Sequence, residues 1–99
     1  MSLNIERKNE NGVTVALSGR LDTITAPQLE EELNTIIPET EKLVFDFENL
    51  EYISSAGLRL LLSTQKEMSK KGGMKLIHVN DEVQEVFDIT GFNELLTVE

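Results

Sequence analysis

The sequence predicts an α/β fold: a small mixed sheet, mostly parallel, entered through an antiparallel N-terminal hairpin. Three observations predict it. Two alternating apolar stretches open the chain on either side of Asn9-Glu10-Asn11-Gly12. Strand patterns and helical patterns then take turns to the C-terminus. No segment repeats another or falls into low complexity. The order read from the residues is β-β-α-β-α-β-α, in which strand–helix alternation builds parallel pairs through right-handed crossovers.

Leu3, Ile5 and Arg7 alternate with Asn4, Glu6 and Lys8, the period of a half-exposed strand. Asn11-Gly12 supplies the positive φ angles of a tight hairpin, and Val13, Val15 and Leu17 carry the second strand to an expected end at Gly19. Thr25 reads as a helix N-cap with Gln28 completing a capping box, and Leu29, Leu33, Ile36 and Ile37 follow at helical spacing until Pro38. Leu43-Val44-Phe45 with Phe47 reads as a central strand covered on both faces. Ser54-Ser55 opens a second helix with Leu58, Leu61, Leu62 and Met68 toward the core, closed by Lys70-Lys71-Gly72-Gly73. Met74 to Val79 reads as a strand, Asn80 caps a third helix bearing Val83, Val86 and Phe87, and Gly91 stops it. Leu95, Leu96 and Val98 form an apolar tail able to dock as a short helix or strand.

The 99 residues suit one domain, expected to span 1–99, with a single aliphatic core: there is no Trp, one Tyr and four Phe. A net charge of −9 repels phosphate backbones, so a nucleic-acid partner is not expected. The same acidity keeps a protein soluble and suits a partner with a basic docking face. Without cysteine there is no disulfide and no thiolate metal site, in keeping with a reducing compartment. No stretch reaches the roughly 20 apolar residues that span a bilayer, and the N-terminus lacks a secretory pattern. A cytoplasmic protein without membrane partners is the expectation.

Catalysis draws several titratable groups into one pocket, and the sequence offers little for that. His78, the single histidine, falls within an expected strand and reads as structural or surface. With no cysteine beside it, a zinc site is not expected, nor is any other metal or cofactor. Asp46 and Glu48, two apart on a strand, share one side and read as solvated or hydrogen-bonded groups near a strand end. A phospho-acceptor receiver reading of that pair conflicts with the opening hairpin. Gly72-Gly73 lacks the Lys-Ser or Lys-Thr of a phosphate loop. Tyr52-Ile53-Ser54-Ser55-Ala56-Gly57-Leu58-Arg59 remains, and its two serines are favoured N-cap residues in their own right.

In context, that segment resembles the sulphate-transporter and anti-sigma-antagonist (STAS) domain family, in its stand-alone bacterial branch. The resemblance runs through Leu17-Ser18-Gly19-Arg20-Leu21-Asp22, Ala26-Pro27-Gln28-Leu29, Leu43-Val44-Phe45-Asp46-Phe47 and Tyr52 to Leu62. It implies a STAS-like sheet with helices packed largely on one side. It implies an anti-sigma factor antagonist, not an enzyme. The unphosphorylated form would bind an anti-sigma factor serine kinase and release the sigma factor. Phosphorylation of the serine at Ser55 would end binding, and a serine phosphatase would restore it. The family commonly has an acid where this chain has Ser54 and a second hydroxyl where it has Ala56, so Ser54 stands as the alternative acceptor. The resemblance makes Asp22 a contact for the kinase or its nucleotide-bound metal, with a turn role as the plainer reading. Gly57, Leu58 (if not wholly buried) and Arg59 are expected interface residues beside Ser54. A monomer is expected. The alternative is a non-phosphorylated scaffold or ligand-sensing domain of the same fold, its serines acting only as caps.

Overall fold

The computed structural model of the chain describes residues 2–9 and 12–99. Its elements run β1 (Leu3–Asn9), β2 (Val13–Leu21), α1 (Ala26–Ile36), β3 (Leu43–Ile53), α2 (Ser55–Met68), β4 (Met74–Ile77) and α3 (Asp81–Thr90), with 3-10 turns at Ile37–Glu39 and Phe92–Glu94. That is the order read from the sequence. β1 and β2 pair antiparallel from Leu3↔Gly19 to Asn9↔Val13. The β2–β3 and β3–β4 pairs are parallel. Glu10 and Asn11, on which the Asn-Gly turn depends, lie outside the described residues.

The strand order is β1-β2-β3-β4. Each parallel crossover therefore steps the same way along the sheet, and right-handed connections that step one way place their helices on one face. The burial pattern follows. Val13, Val15 and Leu17 of β2, Leu43, Phe45 and Phe47 of β3, and Met74 and Leu76 of β4 are buried. Thr14, Ala16, Val44, Asp46, Lys75 and Ile77 between them stay half-exposed. The expectation that Leu43–Phe47 is covered on both faces is thus corrected: β3 is an inner strand with one open face, because no crossover returns on the other side.

Leu29, Leu33 and Ile36 of α1, Leu58, Leu61 and Met68 of α2, and Val83 and Phe87 of α3 join the strand residues in one core. Phe45, Phe47 and Phe87 are fully buried, and truncating any of them to alanine costs about 3–5 kcal/mol. Leu62, expected in the core, is only half-buried. Thr64 is buried in its turn, its hydroxyl donating to the Leu60 carbonyl at 2.8 Å.

Element ends show where local signals were overridden. Gly19 does not end β2. The strand runs on to Leu21, and Gly19 (φ +99°) sits at a register shift where a Cβ would lie 2.3 Å from the Ser2 carbonyl. β4 stops at Ile77, so His78 lies beyond the strand, at φ +58°. Asn80 caps α3 as expected, accepting from the Val83 N–H at 2.8 Å, and its amide also donates to the Leu50 carbonyl. Gly91 ends α3 in the left-handed region. Of the two forms open to the tail it takes the extended one, with a parallel bridge from Val98 to Leu76 and Leu96 buried; the 3-10 turn at Phe92–Glu94 precedes it and Leu95 stays exposed. Among the described residues, no helix is long and apolar enough to cross a membrane.

Candidate functional site

β2 and β3 run parallel and end side by side, so the loops that follow them meet. The Ser54 N–H donates to the Leu21 carbonyl at 2.9 Å, which joins the start of α2 to the β2–α1 loop. At this junction the two serines divide their tasks. Ser54 has an extended backbone (φ −99°, ψ 176°) and is the N-cap of α2. Its Oγ accepts from the Gly57 N–H at a long 3.4 Å, and its carbonyl accepts from the Leu58 N–H at 2.9 Å. Ser55 is the first helical residue, and it is exposed. A residue at this position has a backbone N–H without an intrahelical acceptor.

Gly57 and Leu58 are placed differently from the expectation of an interface. Leu58 is 5% exposed. Gly57 is buried, and a Cβ on it would lie 2.8 Å from both Ile53 Cγ1 and Leu21 Cγ. The glycine lets α2 sit close against the ends of β2 and β3, and the leucine belongs to the core by helical periodicity. Both therefore support the site from beneath. Arg59, on the outer face of α2, is exposed.

Asp22 closes the β2–α1 loop. Its Oδ1 accepts from the Ile24 and Thr25 N–H groups at 3.0 Å each, and its carbonyl accepts from the Ala26 N–H at 2.8 Å. The expected Thr25 capping box is not formed. Thr25 has helical φ and ψ and makes no side-chain cap. Its hydroxyl turns back to donate to the Arg20 carbonyl at 2.8 Å and to accept from the Asp22 N–H at 2.9 Å. The Gln28 amide reaches across to the Leu3 carbonyl. Hydrogen bonding from the Thr25 N–H, then from the Ile24 N–H and the Thr25 hydroxyl, with the Arg20 charge nearby, holds the Asp22 carboxyl below its usual pKa; desolvation opposes this.

Three further residues complete the surface. Arg20 and Tyr52 are ladder partners at the ends of β2 and β3, and the guanidinium carbon stacks 4.2 Å from the ring centroid. Ile24 is 84% exposed and Tyr52 41%. Ile24 thus stands out from a loop that the Asp22 and Thr25 hydrogen bonds hold in place. Sequence reading passed over these three as site residues. Pairing Arg20 with Tyr52 needs the register, and an apolar residue between two threonines reads equally well as buried.

The STAS domain family model matches residues 2–99. The anti-sigma-B factor antagonist of Staphylococcus aureus (strain NCTC 8325 / PS 47) is 33% identical over 101 residues, covering 99% of this chain and 94% of that protein. The anti-sigma-B factor antagonist of Bacillus subtilis (strain 168) is 30% identical over 100 residues, covering 99% and 92%. Among solved structures, an anti-sigma factor antagonist from Mycobacterium paratuberculosis superposes with a TM-score of 0.89 at 23% identity, over 97% of this chain and 84% of that one. The Bacillus cell fate determinant SpoIIAA in its phosphorylated form gives 0.72 at 22% identity, over 98% and 90%.

Proposed function

The chain belongs to the STAS domain family, and from that premise we propose that it is an anti-sigma factor antagonist whose unphosphorylated form binds an anti-sigma serine kinase and frees the sigma factor. Phosphorylation of Ser55 ends binding, and a serine phosphatase restores it. The protein works as a cytoplasmic monomer and as the kinase's substrate, with no reaction of its own.

One observation carries the reading. Ser55 offers an exposed hydroxyl at the first position of α2, while its neighbour Ser54 is occupied as the cap. This arrangement favours Ser55 over Ser54 as acceptor. A phosphate there adds about −1.5 to −2 charge. The helix N-terminus favours that charge by roughly 0.3–1 kcal/mol at an exposed position, so the modification leaves the fold intact. Its effect falls on the partner. A charge left unpaired when Ile24 and Tyr52 are covered costs about 3–5 kcal/mol at a buried interface, which exceeds a hundredfold in affinity.

The test is incubation with the cognate kinase and ATP, then fragment mass spectrometry and a binding assay. One phosphate on Ser55, with Ser55→Asp losing the kinase and Ser55→Ala retaining it, is the expected result. Phosphate on Ser54, or equal kinase affinity for wild type, Ser55→Ala and Ser55→Asp, overturns the assignment. Equal affinities would leave a scaffold or ligand-sensing domain.

A further inference from the structure

Away from the Ser55 junction, the open face of the sheet brings the single histidine between two carboxylates. Asp46 is the ladder partner of Ile77, the last residue of β4, and His78 follows at once. Its ring folds back over β3, with Nδ1 2.9 Å from Asp46 Oδ1 and 3.6 Å from Glu48 Oε2. Glu48 lies in the stretch of β3 where its pairing with β2 shifts register, and such irregularities re-aim side chains. One donor atom from each of the three residues falls within 4.8 Å of the others.

We propose that Asp46, Glu48 and His78 form a binding site for one divalent transition-metal ion of the zinc type, with water completing the coordination. Spacing is the first argument. Zinc holds nitrogen and oxygen ligands at about 2.0–2.2 Å in tetrahedral geometry, which separates two donors on one ion by roughly 3.3–3.6 Å. The His78 distance to Glu48, 3.6 Å, is at the upper edge of that range, and that to Asp46, 2.9 Å, is short of it. All three donor atoms lie within 4.8 Å of one another, so the side chains must open slightly around an ion.

Charge is the second argument. Among the described residues, the ion-pair partner of both Asp46 and Glu48 is His78 alone. The nearest basic residue of β4, Lys75, pairs with Glu99. Two carboxylates thus share one imidazole, which brings at most a single positive charge. A divalent ion balances both acids. Donor type is the third argument. Magnesium and calcium prefer all-oxygen sets, while an imidazole beside carboxylates suits zinc and its neighbours in the transition series. Without an ion, the hydrogen bond to Asp46, followed by that carboxylate's charge, raises the pKa of His78. Metal binding takes the place of the Nδ1 proton, which passes to solvent.

The site is independent of Ser55, and its test reads the metal directly. Tag-free full-length protein, stripped with chelator, is titrated by calorimetry with zinc chloride at neutral pH and, in parallel, with magnesium chloride. One zinc per chain and no comparable magnesium uptake are expected. Losing even an outer-shell partner of a metal site costs about 10–100-fold, so His78→Asn and Glu48→Gln should each weaken zinc binding by more than about tenfold. Asparagine tolerates the left-handed backbone at position 78, and a metal-free melting temperature near that of wild type checks its fold. Glu48 is exposed, so Glu48→Gln carries the test should His78→Asn fail to fold. Zinc heats that are absent in wild type, or unchanged in the folded variants, overturn the proposal and leave a surface ion pair.

Discussion

The two ends of the parallel sheet are closed in different ways. At the N-terminal ends of β2, β3 and β4, neighbouring loops are joined backbone to backbone. The Val13 N–H donates to the Lys42 carbonyl, the Gly72 N–H to the Glu41 carbonyl and the Leu43 N–H to the Gly73 carbonyl, at 2.7–3.1 Å. Lys71 adds its ammonium to the Thr40 carbonyl. The loops meet so closely that a Cβ on Gly72 would lie 2.5 Å from the Glu41 carbonyl oxygen. At the C-terminal ends, the Asp22 loop is just as firmly closed, yet Ile24, Tyr52 and Ser55 face outward. At the first end the loops brace one another through their backbones. At the second, a rigid loop presents uncovered side chains, and a surface ordered in advance loses less entropy when a partner covers it.

The sharpest division between the ends comes from Ser55→Asp. Kinase affinity should fall more than about a hundredfold while stability stays within about 0.5 kcal/mol of wild type, as for most exposed substitutions. Calorimetric binding beside a denaturant melt tests both halves, and a large loss of stability would show that Ser55 is not the free position its exposure indicates. Gly72→Ala should do the reverse. Overpacking against the Glu41 backbone costs about 1–3 kcal/mol, read as a lower urea midpoint, with kinase affinity of the folded protein unchanged.

Ile24→Ala probes the outward surface with less force. Its side chain is 84% exposed, so stability should move by less than about 0.5 kcal/mol. Kinase binding should weaken by about 1 kcal/mol or more if the residue is covered in the complex. Unchanged affinity would move the docking face away from this loop.

The smallest effect is that of pH on Asp22. Its pKa is lowered in the folded chain, first by the Thr25 N–H. The folded state then binds fewer protons than the unfolded one near the ordinary value of about 3.9. The stabilisation is present above that value and is lost as pH falls through the lower folded one. A carboxyl titration by NMR should give a midpoint below the ordinary range, and the stability difference from Asp22→Asn should shrink in acid. A midpoint at the ordinary value would mean that the loop leaves the carboxylate unconstrained.

Much of this was legible in one dimension wherever the signal is local. Asn80 and Gly91 bound α3 because an Asx cap and a left-handed stop need only their immediate neighbours. Ser54 and Ser55 mark the start of α2 for the same reason. Thr25 misled, because its hydroxyl found the Arg20 carbonyl and the Asp22 N–H, partners outside its own helix. Gly19 misled because a glycine at a strand irregularity has the same appearance as one at a strand end. Leu58 reads as an exposed contact or a core residue until the helix is seated on the sheet. His78 reads as an isolated residue until the β3–β4 register is known.

Element order, strand directions, the position of Ser54-Ser55 at a helix start and the family resemblance were all readable from the chain alone. All of these follow from periodicity, turn chemistry and short motifs, whose physics acts over a few residues. Tertiary structure alone decided which sheet face stays open, that Ile24 and Tyr52 stand outside the core, and that His78 meets Asp46 and Glu48. Those outcomes depend on strand register and on crossovers linking residues far apart in the chain, where burial is settled by the whole assembly rather than by the identity of any one side chain.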